Sequence, residues 1–339
     1  MTMKSMADPA LALTPAPARL QVQYVPSPAE SLLTDPTVLA VIGFGPQARL
    51  PADPRCLRVP LQPHGTGPSP LEVWHANAPV RCGRDGDIAW ASDGQLLFGA
   101  IELDEGIVGI EVAAEHIYRR LRRFVDGSDM PHLLRIWNYL DAITLGNDDA
   151  ERYRRFCVGR ARGLGDFDPM RLPAATAIGR CDAARTLQVY WLAARQPGIP
   201  VENPRQVSAY HYPRQYGPQA PSFARAMLPP AGSHMPLLLS GTAAVVGHAS
   251  QHAGELLAQI DETFANFDAL IAAARRHRPG LPQQFGPCSH LKVYVRDAQD
   301  LADVAQALQQ RLGSTVPHLI LHAAICRREL AIEIDGVHG

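Results

Sequence analysis

The stretch ICRRELAIEIDG at residues 325–336, close to the end of the chain, predicts a β-strand. Apolar and acidic residues alternate from Ala331 to Asp335, which is the period-2 pattern of a strand with one buried face. Glu333 lies between two isoleucines in this pattern, so its carboxylate can point into water or into a pocket. The pattern alone favours a solvent-facing glutamate. A functional role for Glu333 therefore depends on the rest of the chain.

The bulk composition is that of a globular protein. The 339 residues are 46% hydrophobic and 19% charged, and a chain of this length commonly forms two domains. A net charge of -1 argues against nucleic-acid binding, which generally requires a basic excess. No apolar run approaches the ~20 residues that cross a membrane. We therefore expect neither a nucleic acid nor a membrane as a partner.

The sequence contains no clear targeting signal or metal signature. Residues 1–19 lack a continuous apolar segment after Lys4, so we expect a disordered leader rather than a signal peptide. The six cysteines are widely spaced without a CxxC pair, which favours reduced thiols in a cytoplasmic protein. His248 and His252 have an i, i+4 spacing that could hold a metal, but no third ligand accompanies them. We expect no metal site.

The order of predicted elements occurs twice along the chain. The first copy comprises a turn and strand, a helix, a strand, a helix and a closing strand, at residues 93–100, 110–125, 133–140, 149–162 and 187–192. The second copy repeats this order at residues 235–243, 253–273, 291–295 and 301–312, followed by strands at 319–324 and around Glu333. The repetition predicts an α+β fold of two domains, residues 20–197 and 233–339, each a mixed sheet with helices on one face.

The segment that connects the two predicted domains, residues 198–232, is rich in proline, tyrosine and arginine. It can be a plain linker. Its composition also suits an anionic ligand, because an arginine fork binds a carboxylate at two points and tyrosine adds a rigid ring with a hydroxyl. Burial of Glu333 between isoleucines would raise its pKa and keep a proton available for transfer. Residue chemistry leaves both alternatives for the segment open.

The two copies resemble the RidA/YjgF fold, also described as chorismate-mutase-like. In the second copy the resemblance lies in residues 239–243, in the helix that carries Gln259, and in residues 332–334. The chain more closely resembles the chorismatases, which are built from two such domains. The resembling pieces extend from Arg135 towards the C-terminus, at residues 135–139, 153–160, 212–217 and 326–333.

The resemblance implies an enzyme that cleaves chorismate and releases pyruvate without a metal or organic cofactor. Glu333 matches the family's catalytic glutamate, which would protonate the enolpyruvyl methylene. Cys326 and Gly241 match the branch that makes 3-hydroxybenzoate, and a bifunctional branch that also makes 4-hydroxybenzoate is not distinguished by these residues. The hydrolytic branch, which makes a dihydroxycyclohexadiene carboxylate, carries other small residues at the glycine position.

The same resemblance implies that the substrate carboxylates and ring contact a set of arginines and tyrosines: Arg155, Tyr212, Arg214, Tyr216, Arg225 and Arg296. Two other activities compete with this interpretation, a RidA-type enamine or imine deaminase and a non-catalytic ligand-binding protein. Simple RidA proteins place a substrate-binding arginine after a proline, whereas Leu319 follows Pro317 and His318 here, which counts against the deaminase. RidA folds commonly assemble in threes, which leaves a homo-oligomer open.

Overall fold

The computed structural model describes residues 18–339 except residues 66, 68 and 167. Most of the predicted leader, residues 1–19, therefore lies outside the described residues. Its last two residues belong to the fold. The carbonyl of Ala18 accepts a hydrogen bond of 2.9 Å from the His234 amide, and Arg19 forms a β-bridge with His234.

The first part of the chain forms a small sheet followed by the first repeat. The elements are, in chain order, β1 (Gln21–Val25), α1 (Ala29–Leu32), β2 (Val38–Phe44), β3 (Cys56–Val59), β4 (Gln62–Pro63), β5 (Leu71–His75), β6 (Arg81–Asp85), β7 (Ile88–Ser92), β8 (Leu96–Asp104), α2 (Gly109–Asp126), β9 (His132–Asp141), α3 (Arg152–Leu164), β10 (Ala174–Arg180) and β11 (Thr186–Ala194). One sheet has the order β1-β5-β2-β3, and a second has the order β10-β9-β11-β8-β7-β6.

The remaining elements build the second repeat. They are β12 (Ile199–Val201), β13 (Ala226–Leu228), β14 (Leu237–Thr242), β15 (Val245–Val246), β16 (Ala249–Ser250), α4 (Leu256–Arg275), β17 (His290–Val295), α5 (Leu301–Leu312), β18 (His318–His322) and β19 (Ile332–His338). Their main sheet has the order β12-β13-β14-β19-β17-β18-β4. The connecting segment thus supplies two strands, β12 and β13, and the domain boundaries drawn from the sequence stay a prediction.

The two repeats share one topology, and the α+β class with mixed sheets is confirmed. β9 pairs in parallel with β10, as β17 does with β18. β11 lies antiparallel between β9 and β8, and β19 lies in the same way between β17 and β14. The first copy contains one strand more than predicted, β10, whose sequence AATAIGR consists mostly of small residues and gives a weak strand signal.

Helices cover one face of each repeat, and the sheets meet at the opposite faces. Ile117 of α2 and Phe156 of α3 pack on the six-stranded sheet, whereas Phe267 of α4 packs on the seven-stranded one. The inner faces of these sheets and of the small sheet share another core, in which Trp74 and Trp137 lie. Their central strands are therefore buried on both sides.

The closing strand β19 begins at Ile332, seven residues later than the predicted start. Ile332 and Ile334 point into the helix-covered core. Glu333 and Asp335 alternate with them and face the first repeat, where they are 5% and 0% exposed. The expectation of a half-buried strand with a solvent-facing glutamate is therefore wrong, because the acidic face is covered by the other repeat.

Three further sequence-based expectations can be compared with the structure. No helix within residues 18–339, apart from the undescribed positions, is long and apolar enough to cross a membrane. The six cysteines are free thiols. His248 and His252 take protein partners, since His248 Nδ1 lies 3.2 Å from the Tyr216 hydroxyl and His252 Nε2 lies 3.3 Å from Glu262.

Candidate active site

A cavity of about 750 Å³ opens where the two repeats meet. Its walls come from α3 and β10 of the first repeat, from β14 and β19 of the second, and from the connecting segment. Ser240 holds these walls together, because its hydroxyl donates to the Ala224 carbonyl and accepts from the Ala175 amide at 2.9 Å. The cavity is large enough for a small-molecule ligand.

Glu333 is the carboxylic acid at the base of this cavity. Burial raises the pKa of its carboxyl from 4.5 to about 8, the neighbouring charge of Asp335 adds to the increase, and three arginines oppose it. Glu333 is therefore mostly protonated at neutral pH and can donate a proton to a ligand.

The missing side chain of Gly241 leaves room for the carboxyl of Glu333. β14 and β19 pair with a register shift between Leu239 and Thr242, which brings Gly241 against Glu333. A Cβ atom added to Gly241 would lie well inside van der Waals contact with Oε1 of Glu333. A side chain at residue 241 and this position of the carboxyl therefore exclude each other.

Cys326 contacts the other oxygen of the same carboxyl. Its sulfur lies 3.9 Å from Oε2 of Glu333. Burial, followed by the charge of Glu333, raises the pKa of the thiol, so the cysteine is a neutral thiol rather than a thiolate. It is therefore placed to shape the space beside Glu333 and to exclude water there.

A buried group of charges lies behind Glu333, between the sheets. Arg135 donates to Asp335 over 3.1 Å, and Lys292 lies 3.1 Å from Glu72 and 3.7 Å from Asp335. All four side chains are at most 3% exposed. Two cations and two carboxylates balance one another, which satisfies the rule that buried charges are paired. The arrangement keeps a negative charge on the same face of β19 as Glu333.

Two buried arginines line the cavity without a carboxylate partner. Arg225 donates to the Tyr212 hydroxyl over 2.7 Å and to the Val207 carbonyl over 2.9 Å. Arg160 donates from Nη1 to the Ser222 carbonyl, and its guanidinium carbon lies 5.0 Å from the centre of the Tyr118 ring. Neither arginine forms a salt bridge with a described residue. Because buried charges are normally paired, the two guanidinium groups suit a ligand with two anionic groups.

Aromatic rings complete the cationic wall. Tyr212 lies between Arg225 and Arg327, whose guanidinium carbons are 5.6 and 5.2 Å from the ring centre. Arg327 also lies 4.2 Å from the ring centre of Tyr216. Such cation–π contacts fix the orientation of the arginines and of the rings. The connecting segment is thus part of the cavity rather than a plain linker.

The structure brings six of the nine predicted site residues to the cavity: Glu333, Cys326, Gly241, Tyr212, Tyr216 and Arg225. The other three predicted residues lie elsewhere. Arg155 is half-exposed and pairs with Glu111 over 2.6 Å. Arg214 is exposed and binds Asp149 with both terminal nitrogens, at 2.8 Å for Nη1. Arg296 does not line the cavity, and its guanidinium group donates to the backbone carbonyls of Leu330 and Ile325.

Arg160 is a cavity residue that the sequence-based selection omits. Tyr153, Cys157 and Arg160 have the spacing i, i+4 and i+7 on α3, which aligns them on one helix face, and all three line the cavity. Arg155 lies on another face of the same helix. Helical spacing from Tyr153 is thus the signal that identifies Arg160.

Comparisons with known proteins agree on one family. The profile described as "Chorismatase FkbO/Hyg5-like, N-terminal" matches residues 72–193. A chorismatase of Streptomyces hygroscopicus is 38% identical over 273 residues, 78% of each chain. A 3-hydroxybenzoate synthase of the same species is 33% identical over 278 residues, 78% of this chain and 80% of that protein. A crystal structure of a chorismatase covers 95% of this chain and 98% of its own, with 35% identity and a TM-score of 0.82.

Proposed function

This chain belongs to the chorismatase family of enzymes, and on that premise we propose that it converts chorismate to 3-hydroxybenzoate and pyruvate. The observation that carries the proposal is that a protonated Glu333 lines the same cavity as two buried arginines, Arg160 and Arg225, which form no salt bridge with a described carboxylate. Chorismate has one carboxylate on its ring and another on its enolpyruvyl ether. It therefore offers two anions and a carbon that accepts a proton.

In the proposed reaction Glu333 donates its proton to the enolpyruvyl methylene. The ether carbon then becomes electrophilic, the bond between the ring and the ether oxygen breaks, and the side chain leaves with that oxygen as pyruvate. The neighbouring ring hydroxyl displaces it, the hydroxyl proton restores the acid form of Glu333, and aromatisation of the ring yields 3-hydroxybenzoate. The two products together contain the atoms of chorismate, so this route consumes no water and needs no oxidant. The buried position of Glu333 supports this role, because the acid must hold its proton near neutral pH.

The proposed carboxylate ligands are Arg225 and Arg160, with Tyr212 against the ring. A charge-assisted hydrogen bond from guanidinium to carboxylate is among the stronger polar contacts in proteins, and both arginines are held in place by protein acceptors. We do not extend this role to Arg155, Arg214 or Arg296, since none of them lines the cavity and each is engaged by protein groups.

Cys326 is the residue we propose as decisive for the product. A neutral thiol 3.9 Å from Glu333 occupies space that a water molecule would need for attack. Water attack would instead give the dihydroxycyclohexadiene carboxylate. A share of 4-hydroxybenzoate is compatible with the same residues. The free thiols support the cytoplasmic location expected from the sequence.

Incubation of the purified protein with chorismate tests the proposal. Pyruvate release is followed enzymatically, and the aromatic and diene products are separated by chromatography. We expect pyruvate and 3-hydroxybenzoate in equal amounts, with the aromatic fraction reduced in the Cys326→Ala variant. Absence of pyruvate above background would refute the activity, and an unchanged aromatic fraction after Cys326→Ala would refute the role of the thiol.

A further inference from the structure

The loop between β18 and β19 carries five residues that line the cavity, Cys326 to Leu330. Residues 325–331 form neither a helix nor a strand. The amide of Leu330 donates to the carbonyl of Arg327 over 3.2 Å, which closes a turn. The position of the Cys326 sulfur therefore depends on whatever holds this loop from outside the cavity.

Arg296, the first residue after β17, holds three carbonyls of the loop. Its Nε donates to Leu330 over 2.7 Å, and its Nη2 donates to Ile325 over 3.1 Å and to Arg327. Its own amide donates to Ala331 over 2.9 Å. A guanidinium group has five donors in a rigid planar fork, so one side chain can fix several acceptors in a defined geometry. Arg296 therefore determines the course of the loop on both sides of Cys326.

Gln259 of α4 fixes the same loop from a second direction. Its Nε2 donates to the carbonyl of Glu329 over 2.8 Å, and its Oε1 accepts from the amide of Ala331 over 2.8 Å. The side chain is fully buried. Arg296 and Gln259 together bind the backbone of five loop residues, at positions 325, 327, 329, 330 and 331, and neither side chain lines the cavity.

The contact between Cys326 and Glu333 is too weak to hold the loop by itself. A thiol is a weak donor, and the sulfur is 3.9 Å from the carboxyl oxygen. The distance is therefore set by the loop backbone. Substitution of Arg296 or Gln259 would displace the loop and open space for water beside the carboxyl without deleting any side chain that lines the cavity.

We propose that Arg296, supported by Gln259, is a positioning residue that holds Cys326 against Glu333 and thereby determines whether the aromatic or the hydrolysed product forms. The inference rests on the proposed function. It replaces the role in carboxylate binding that the sequence resemblance implies for Arg296. The predicted signature is a change in product ratio rather than in substrate affinity.

The test compares the Arg296→Met, Arg296→Lys and Gln259→Leu variants with the wild-type protein. For each we measure the ratio of aromatic to hydrolysed product, the KM for chorismate and the melting temperature. Arg278→Met is the matched control, because Arg278 also donates to a backbone carbonyl, that of Met235, outside the cavity lining. A double variant with Cys326→Ala shows whether Arg296 acts through the thiol.

We expect Arg296→Met to lower the product ratio at least about fivefold with a KM within about threefold of wild type. Lysine should restore part of the ratio, and the control should leave it unchanged. Adding Arg296→Met to Cys326→Ala should change the ratio no further. If Arg296→Met does not fold, Gln259→Leu must show the same shift in ratio.

Two failures can be told apart. A wild-type protein that releases no pyruvate overturns the proposed function. A wild-type protein that makes 3-hydroxybenzoate, combined with a folded Arg296→Met or Gln259→Leu variant of unchanged product ratio, overturns the positioning role alone. Equal shifts in the Arg278→Met control would likewise overturn it, because the effect would then reflect general destabilisation.

Discussion

Replacement of Glu333 by glutamine should stabilise the fold at neutral and alkaline pH. The folded-state pKa of about 8 exceeds the ordinary value of 4.5, so between these values the folded protein binds more protons than the unfolded chain. Stability from this group is therefore fully present below pH 4.5, is lost progressively as the pH rises, and is gone above about pH 8. A glutamine at residue 333 is neutral over the whole pH range, so the variant does not lose this contribution to the free energy of unfolding.

The magnitude follows from the size of the pKa difference. At about 1.4 kcal/mol per pH unit, the wild-type protein loses about 3 kcal/mol by pH 7 and at most about 5 kcal/mol by pH 9. These values are upper limits, because Asp335 and the arginines around Glu333 can relax in the folded protein.

Urea unfolding of both proteins from pH 4 to pH 9 measures the effect without a substrate. The stability difference between Glu333→Gln and wild type should grow with pH between 4.5 and 8 and then level off. Glu30→Gln, at an exposed position of α1, is the matched control for the loss of a carboxylate, and the Glu333→Gln difference should exceed it at pH 7 and above. A Glu333→Gln difference that stays constant from pH 4 to pH 9 would refute the raised pKa.

Three further substitutions test the cavity walls. Arg160→Met should raise the KM for chorismate about 10- to 100-fold in steady-state kinetics, because it removes a charge-assisted contact of about 1.5–3 kcal/mol. A KM within twofold of wild type would contradict carboxylate binding by Arg160. Arg214→Ala should leave the KM for chorismate within about twofold of wild type in the same assay, since the partner of Arg214 is the exposed Asp149. A tenfold increase in KM would show that Arg214 binds the substrate. Gly241→Ala should lower kcat for pyruvate release up to about 100-fold and reduce the aromatic fraction of the product, because the added Cβ displaces the carboxyl of Glu333. An unchanged kcat and an unchanged product ratio would contradict this requirement for glycine.

The repeat is predictable because its signals are local and strong. Helix α2 carries a continuous apolar stripe that includes Ile117 and Leu121, and its predicted bounds differ from the observed ones by one residue at each end. The sequence pattern does not predict β10, because alanine and glycine have little preference for strands. The strand forms because its parallel pairing with β9 stabilises it. Tertiary pairing outweighs local propensity at that strand.

The composition of the cavity is harder to predict because it depends on where side chains point in space. Arg155 and Arg160 belong to the same resembling segment, yet only Arg160 shares a helix face with Tyr153. Arg296 lies at the end of a strand near the cavity, and its guanidinium group binds loop carbonyls rather than facing the ligand. The resemblance thus indicates segments that reach the cavity, and the direction of each side chain decides which of their arginines line it.

The proton carried by Glu333 is the centre of this account, and the pH dependence of pyruvate release by wild type and Glu333→Gln tests it most directly. We predict that wild-type kcat/KM falls about tenfold per pH unit above an apparent pKa near 8. The Glu333→Gln rate should be at least about 100-fold lower at pH 7 and lack that alkaline decline. A Glu333→Gln rate within tenfold of wild type, with the same alkaline decline, would contradict the account.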